Sequence, residues 1–488
     1  MSKEAAEKKD DEENGIQPTL STQPGTYIQG IVHDDVFGDI TQGGPNYRAL
    51  GWKGTVVLML KTQIGLGVLT IPQTFSVLGL IPGTICVVLI AAMITWSNYV
   101  IGIFKLRYPN VYGIEDIGQM FMGKFGYEFL GIMFAIYWIT TASSSFIGWS
   151  TALNAISSHA TCTAVYVAVA AILAAYLGSI QTLGRISLLS WIGISSILIS
   201  GQHYTDHSSS ISLPLTETLE SVLALVISVG VQDRPASAPQ SGPWQSDYVL
   251  FANPSPAEAF AAVSTIVFSF AGTPAFFNIA AEMRDPRMYT RAVLICQSIM
   301  TIIYVTLGIV VYHYCGSYVS SPALGSAGTT MKKVCYAIAL PGLTVSITLF
   351  IHFTAKYLLL RFLRGTKHLT QNTPTHWATW LGCTVGSALL AYIIASAVPN
   401  LSGLVSLVGA VGGTIMSLQP MGFMWLYMFW GEKKTTKSML WASWAVFVIV
   451  SGSFLTIAGT YGALSDIIAD YRALGGTAAW TCADNSGS

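Results

Sequence analysis

Two apolar segments of this 488-residue chain are interrupted by small residues at matching places in its two halves. The first segment covers residues 52–78 and carries Gly65 and Gly67 in its middle, and the second covers residues 258–283 and carries Gly272. Irregular backbone at membrane depth is tolerated only where protein or a water-filled cavity surrounds it. Paired broken helices therefore predict a substrate site between the two breaks, as in a secondary transporter.

The composition indicates a protein that lies mostly in lipid. The chain is 52% hydrophobic and 10% charged, with a mean hydropathy of +0.55, whereas a soluble protein has about 25% charged residues. A formal net charge of zero argues against nucleic acid as a partner. The sequence contains no Walker-type loop, no His/Cys metal cluster and no nucleophile elbow. We therefore expect neither an enzyme nor an ATP-driven pump, and no metal or cofactor.

Hydropathy divides the chain into three parts. Residues 1–49 contain no apolar run, so we expect no cleavable signal peptide, and their polar composition predicts a disordered cytosolic tail. Residues 50–461 form the predicted transmembrane domain, and residues 462–488 form a predicted tail on the outer side.

The transmembrane domain contains eleven stretches that we interpret as spans, each of which needs about 20 apolar residues. They are residues 52–78, 80–104, 127–156, 163–180, 186–231, 258–281, 292–315, 335–362, 376–398, 401–430 and 439–461. With the N-terminus placed inside, eighteen of the 24 Lys and Arg residues fall in inner segments or, like Lys53 and Arg361, at the inner ends of spans, four fall in outer segments and two lie deeper within spans. This bias follows the positive-inside rule and predicts a cytosolic N-terminus and an outer C-terminus.

The fifth predicted span is unusual because a polar stretch, residues 201–221, divides it. The apolar piece before this stretch would be only about 22 Å long as a helix, and the piece after it is shorter. Treating the pieces as two spans would move every later basic loop outside, so the charge bias favours one interrupted span. We hypothesise that the polar stretch is foreign to the fold, for example a retained intron translated in frame. The alternative is an extended loop within a broken helix.

Three stretches resemble the amino acid/auxin permease family. Residues 60–69 (LKTQIGLGVL) resemble its first-helix signature, residues 271–278 (AGTPAFFN) and 282–286 (EMRDP) resemble its sixth helix and the following inner loop, and residues 318–328 resemble an outer loop of fungal neutral amino acid permeases. The resemblance implies an all-α, leucine-transporter-like fold, in which helices 1–5 and 6–10 form an inverted repeat with broken helices 1 and 6. It also implies proton-coupled uptake of neutral amino acids, with aromatic ones among the candidates.

The two breaks offer the groups that a zwitterionic amino acid needs. Backbone N–H groups at a half-helix N-terminus attract a carboxylate, glycine allows close approach of the backbone, and carbonyls at the second break would hold the ammonium. No Asp or Glu lies deep in a predicted span, which favours zwitterionic over cationic substrates. The predicted substrate-binding residues are Ile64, Gly65, Gly67, Tyr137, Ser144, Ser269, Phe270, Ala271, Gly272 and Thr273. The alternative for the glycines and hydroxyls is close packing and hydrogen bonding between helices.

Two ionisable residues within spans are candidates for ion coupling. Lys61 could fasten the first helix to a neighbour or act where sodium-coupled relatives hold an ion, and the alternative is snorkelling to the inner surface. His352 titrates near neutral pH by type and could couple to protons, and the alternative is a neutral, packed histidine. Four cysteines, at positions 162, 315, 335 and 482, lie on the predicted outer side. A disulfide is possible there, but the sequence leaves its pairing open.

We therefore expect a proton/neutral amino acid symporter that works by alternating access in the plasma membrane, surrounded by the lipid bilayer. A vacuolar exporter of the same family and a non-transporting amino acid sensor remain open as alternatives. A channel is disfavoured because broken midplane helices suit an occluded site.

Overall fold

The structure is a computed structural model. It describes residues 32–34, 38–40, 50–181, 234–235, 237–239, 241, 243–326, 329–369, 371–398, 400–431, 435–473, 480 and 482–486. The predicted fifth span with its polar stretch, residues 201–221, lies outside the described residues, as does most of the predicted N-terminal tail. Within that tail, the described residues form two short antiparallel strands, β1 (Val32–Asp34) and β2 (Gly38–Ile40).

Alpha-helices make up nearly all of the remaining described residues. Their bounds are α1 Trp52–Gln63, α2 Leu66–Leu78, α3 Leu80–Arg107, α4 Ile114–Ser157, α5 Thr163–Gly178, α6 Pro256–Phe270, α7 Thr273–Ala281, α8 Tyr289–Cys315, α9 Thr329–Leu363, α10 Pro374–Ala397, α11 Leu401–Val408, α12 Thr414–Ser417, α13 Gln419–Phe429 and α14 Thr436–Ala473. A π-helix, Gly409–Gly413, joins α11 to α12.

The described helices account for most of the predicted spans. Eight helical stretches are long and apolar enough to cross a membrane, and α1 with α2 does so as a bent pair. The apolar helix α5 is shorter, with 16 residues. Because the predicted fifth span lies outside the described residues, the count of eleven stays a prediction.

Three spans differ clearly from the prediction. The eleventh continues as α14 to Ala473, which extends it past its predicted end at residue 461 into the predicted outer tail. The third begins earlier, because α4 starts at Ile114 and continues through a kink at Gly123, whose φ is +61°. The tenth is not one continuous helix, since it contains the π-helix and a further interruption at Leu418, just before Pro420. Hydropathy marks only the apolar part of a helix, so it missed the polar first turns of α4 and the changes of helix type.

The helices differ sharply in how deeply they are buried. In the apolar 18-residue stretch of α6–α7, 89% of the residues are buried, whereas in the corresponding stretch of α14 only 17% are buried. Large apolar side chains such as Ile457 and Leu440 are therefore exposed on the outside of the protein. Apolar surface of this kind suits contact with lipid rather than water. The α6–α7 stretch thus occupies the centre and α14 the periphery.

Local sequence explains several helix ends. The start of α6 carries a capping box, in which Ser255 Oγ accepts a hydrogen bond from Glu258 N at 3.3 Å and Glu258 Oε2 accepts one from Ser255 N at 2.8 Å. Gly79 separates α2 from α3 with a φ of +86°, and a Cβ there would lie 2.5 Å from Ala252 N. A glycine is required at this turn for both reasons.

The C-terminal segment folds back over one end of the helical array. Cys482 forms a disulfide with Cys162, the residue before α5. Asn154 on α4 donates to Asn485 Oδ1 at 2.7 Å, and Trp480 N donates to a carbonyl oxygen at the end of α10 at 2.9 Å. The disulfide settles the pairing that the sequence left open. It also places the chain end and the α4–α5 loop on the same side of the array.

Candidate functional site

The first break separates α1 from α2. The axes of the two helices differ by 47°, because Ile64 and Gly65 adopt extended backbone between them. The N–H groups of the first turn of α2 therefore lack the carbonyl partners of a continuous helix. Lys61 Nζ donates to Ile64 O at 3.0 Å and so holds one carbonyl of the break.

The second break separates α6 from α7. Here the chain keeps turn-like bonds, since Ala271 N donates to Phe268 O at 3.0 Å and Gly272 N donates to Phe270 O at 2.8 Å. The carbonyl of Ala271 accepts a hydrogen bond from the Tyr137 hydroxyl on α4. The second break is thus a tight turn whose outward carbonyl is already bonded to a neighbouring helix.

The two breaks touch each other directly. A Cβ on Gly67 would lie 2.8 Å from Ser269 Cα, and a Cβ on Gly272 would lie 2.5 Å from Thr62 Oγ1. Real Cβ atoms essentially never come that close to another heavy atom, so only glycine fits without displacement at these contacts. Ser269 Oγ also donates to Gly67 O at 2.9 Å. The Tyr304 hydroxyl on α8 lies 3.1 Å from Gln63 O and 2.6 Å from Ser269 O, so it bridges both breaks.

A small cavity lies between the breaks. Its volume is about 20 Å³, which is room for about one water molecule. The described residues that line it are Thr62, Gln63, Gly65, Gly67, Tyr137, Trp138, Thr141, Ser145, Phe268, Ser269 and Phe350. None of these side chains carries a charge. The lining combines hydroxyl and amide groups with four aromatic rings, which suits a small molecule with polar and apolar parts.

The structure brings four of the predicted site residues to the cavity: Gly65, Gly67, Tyr137 and Ser269. The other predicted residues are not among its described lining: Ile64, Ser144, Phe270, Ala271, Gly272 and Thr273. Phe270 packs edge-on against Tyr304, with ring centroids 4.6 Å apart. Ser144 is buried and donates to Thr141 O at 2.9 Å. Phe270 and Ser144 thus make contacts within the protein, and the contribution of the second set to binding stays a prediction.

The two predicted coupling residues lie in different surroundings. Lys61 is fully buried at the first break. His352 is fully buried on α9, outside the described lining of the cavity, and packs against Trp380 with ring centroids 5.4 Å apart. Lys61 is thus near the candidate substrate site, whereas His352 is part of the packing between α9 and α10.

Sequence reasoning missed several groups. Thr62, Gln63, Trp138, Phe268 and Phe350 line the cavity, but nothing in the pattern separated them from ordinary packing residues. Lys356 on α9 forms a buried salt bridge with Glu282 at the end of α7. The position of Lys356 within a predicted span was the signal for this pair, because a buried charge needs a partner.

Comparisons with known proteins agree with this architecture. Residues 48–465 match the family described as transmembrane amino acid transporter protein. A transmembrane transporter of Gibberella moniliformis is 29% identical over 489 residues, covering 96% of this chain and 99% of the relative. A transmembrane transporter of Fusarium pseudograminearum is 31% identical over 447 residues, covering 91% of this chain and 89% of the relative. The N amino acid transport system protein of Neurospora crassa is 29% identical over 444 residues, covering 88% of this chain and 87% of the relative.

Two solved structures share the overall fold. MhsT in complex with L-phenylalanine has a TM-score of 0.51 and 12% identity, covering 85% of this chain and 97% of that chain. A substrate-bound, outward-open Na+-coupled sialic acid symporter has a TM-score of 0.50 and 12% identity, covering 86% of this chain and 91% of that chain. At this level of identity the similarity shows the fold alone. The predicted all-α, leucine-transporter-like fold is thereby confirmed.

Proposed function

Because this chain belongs to the transmembrane amino acid transporter family, we propose that it is a secondary active transporter that moves neutral amino acids together with protons. The observation that carries the proposal is the cavity between the two breaks, whose described lining is entirely uncharged. A zwitterion brings its own balancing charges, whereas a cationic substrate would need a carboxylate in this lining. The aromatic rings of Trp138, Phe268 and Phe350 suit an apolar or aromatic substrate side chain.

The size of the cavity supports alternating access. About 20 Å³ is far too little for an amino acid, since it holds about one water molecule. Binding and release therefore require the two broken helices to move relative to α4 and α9, which carry the opposite wall. The contacts between the breaks, through Ser269 and Tyr304, favour their movement as a unit.

Lys61 supports proton rather than sodium coupling. Its side-chain nitrogen donates to Ile64 O at the first break, so a group of the protein already occupies a carbonyl that could otherwise coordinate a metal ion. The protonated form of Lys61 would also repel a second cation in this buried setting. Coupling by protons avoids that repulsion, because it needs no metal ion at the break.

The disulfide supports the proposed orientation in the plasma membrane. Disulfides persist on the oxidising side of a membrane, and the Cys162–Cys482 bond lies at the C-terminal end of the chain. We therefore propose that the C-terminus lies outside, and with the predicted eleven spans the N-terminus then lies in the cytosol. A fluorescent tag on the N-terminus would show plasma-membrane labelling, whereas labelling confined to the vacuole would instead support an exporter.

Uptake in cells that lack their own amino acid permeases tests the function. We expect accumulation of labelled neutral amino acids that rises as the outside pH falls, is abolished by a protonophore and does not depend on sodium. Sodium-dependent uptake would contradict proton coupling. Normal surface delivery and amino acid binding without any uptake would support a sensor and overturn transport.

A further inference from the structure

The side chain of Gln63 is buried without a hydrogen-bond partner. Gln63 is the last residue of α1 and is 3% exposed. Neither its Nε2 nor its Oε1 has a partner among the residues that the structure describes. A primary amide has two donors and a carbonyl acceptor, and burying them unsatisfied destabilises a protein. Because both atoms lack a partner, the conclusion is the same if the amide nitrogen and oxygen exchange places.

The surroundings hold Gln63 at the substrate cavity. Gln63 is one of the residues that line the cavity, and its carbonyl oxygen lies 3.1 Å from the Tyr304 hydroxyl. A Cβ on Gly272 would lie 3.0 Å from Gln63 Cγ, so the glycine of the second break leaves the space that this side chain fills. The unpartnered amide is therefore a positioned group of the cavity wall.

Hydrogen-bond donors are scarce in this cavity, whereas acceptors are plentiful. Each lining hydroxyl already donates to a backbone carbonyl, and these are the hydroxyls of Thr62, Tyr137, Thr141, Ser145 and Ser269. They keep lone pairs that can accept from an ammonium. Besides the Gln63 amide, the described lining has one other side-chain N–H without a partner, Trp138 Nε1, and that ring packs against Phe350 and Phe353.

We propose that Gln63 is a specificity-determining residue that donates a hydrogen bond from Nε2 to the α-carboxylate of the transported amino acid. The carboxylate then lies beside the N-terminus of α2, whose backbone N–H groups add further donors. An uncharged donor recognises the carboxylate without adding a net charge to the buried zwitterion. This inference rests on the proposed function and names the side chain that distinguishes an amino acid from its decarboxylated amine.

Gln297 provides a matched control. It lies on α8, is 1% exposed, and both of its amide atoms also lack a partner in the described part of the chain. It is not among the described residues of the cavity lining. A substitution to leucine therefore removes the same kind of buried amide at both positions, but only at position 63 does it face the substrate.

The test measures binding and thermal stability of the purified full-length chain in nanodiscs. The probes are L-phenylalanine, L-leucine and phenethylamine, which has the side chain of phenylalanine but no carboxylate. We expect Gln63→Leu to weaken binding of both amino acids by roughly tenfold or more, as expected when a hydrogen bond to a charged group is lost. Binding of phenethylamine, weak in the wild type, should not weaken further. The substrate-free variant should unfold at or above the wild-type temperature, because an unsatisfied amide is gone.

Two further variants sharpen the test. Gln63→Met keeps the length of the side chain but loses the N–H donors, so we expect it to bind the amino acids no better than Gln63→Leu. Gln297→Leu should bind them with wild-type affinity. Wild-type affinity in Gln63→Leu or in Gln63→Met would overturn the inference. So would a lower unfolding temperature of substrate-free Gln63→Leu, because that result would assign the amide a structural role. Wild-type protein that binds neither amino acid would instead overturn the proposed function itself.

Discussion

The two breaks look alike in the sequence but differ in geometry. At the first break, Ile64 and Gly65 leave the helix and the chain bends by 47°. At the second break, Ala271 and Gly272 keep turn hydrogen bonds, and α6 and α7 together still form one stretch long enough to cross a membrane. The first break therefore opens the backbone toward the cavity, whereas the second is a compact turn.

The difference shows why glycines occur at these positions. The φ of Gly65 is −171° and that of Gly272 is −76°, and both values are available to any residue. Conformational freedom is thus not the reason for glycine here. The reason is contact, because a Cβ on Gly67 or Gly272 would collide with the other broken helix. Variants that add atoms at this contact test that explanation most directly.

The largest effect is expected for Gly67→Val. The new Cβ would lie 2.8 Å from Ser269 Cα, and overpacking of this kind costs about 1–3 kcal/mol or more. Uptake should fall to below about a tenth of the wild-type rate while delivery to the membrane persists. Gly382→Val on α10 is the control, since a Cβ there meets nothing within 4 Å. Normal uptake by Gly67→Val at normal surface expression would show that Gly67 is not part of the substrate site.

The same test at the second break is Gly272→Ala. Its Cβ would lie 2.5 Å from Thr62 Oγ1 and 3.0 Å from Gln63 Cγ. Both neighbours are side chains that can shift slightly, so we expect a smaller cost than at Gly67, of about 1 kcal/mol, and a several-fold loss of uptake. Gly386→Ala, where a Cβ has open space, should behave like the wild type. A Gly272→Ala variant as damaged as Gly67→Val would show that the two contacts are equally rigid.

Tyr304→Phe tests whether one hydroxyl holds the two breaks together. The Tyr304 side chain is fully buried, and its removal leaves Gln63 O and Ser269 O without this donor. Loss of a buried donor costs about 1–2 kcal/mol, so thermal unfolding should occur at a lower temperature. Tyr314→Phe on the same helix serves as the control, because Tyr314 is 46% exposed. Equal unfolding temperatures for both variants would show that the bridge does not stabilise the pair.

The smallest effect is expected for Ser269→Ala. This change removes the hydroxyl that lies 2.9 Å from both Gly67 O and Thr265 O and can donate to either, at a net cost of about 0.5–1 kcal/mol. Affinity should change less than threefold, because Ser269 already donates inward and offers the substrate only an acceptor. The control is Ser443→Ala on α14, where the hydroxyl bonds only within its own helix. A large loss of affinity in Ser269→Ala alone would assign Ser269 a direct role in binding.

Part of the candidate site was predictable from the sequence. The positions of both breaks follow from small residues inside apolar segments, since a membrane span without them would be a continuous helix. Gly65, Gly67, Tyr137 and Ser269 were predicted for the site and lie at the cavity. Gln63 was not predicted, because periodicity places it among the buried residues of α1 without showing whether its amide finds a partner.

The sequence by itself determined that this chain is an all-helical membrane protein, where its helices break and which family it resembles. Those features depend on local hydropathy, on short sequence motifs and on charge bias, all of which are visible in the linear sequence. Only the tertiary structure decided that the first break opens while the second stays compact, that Lys356 pairs with Glu282, and that Cys162 pairs with Cys482. Each of these depends on which distant segment packs alongside, because contacts between segments far apart in the sequence are set by three-dimensional packing rather than by local pattern.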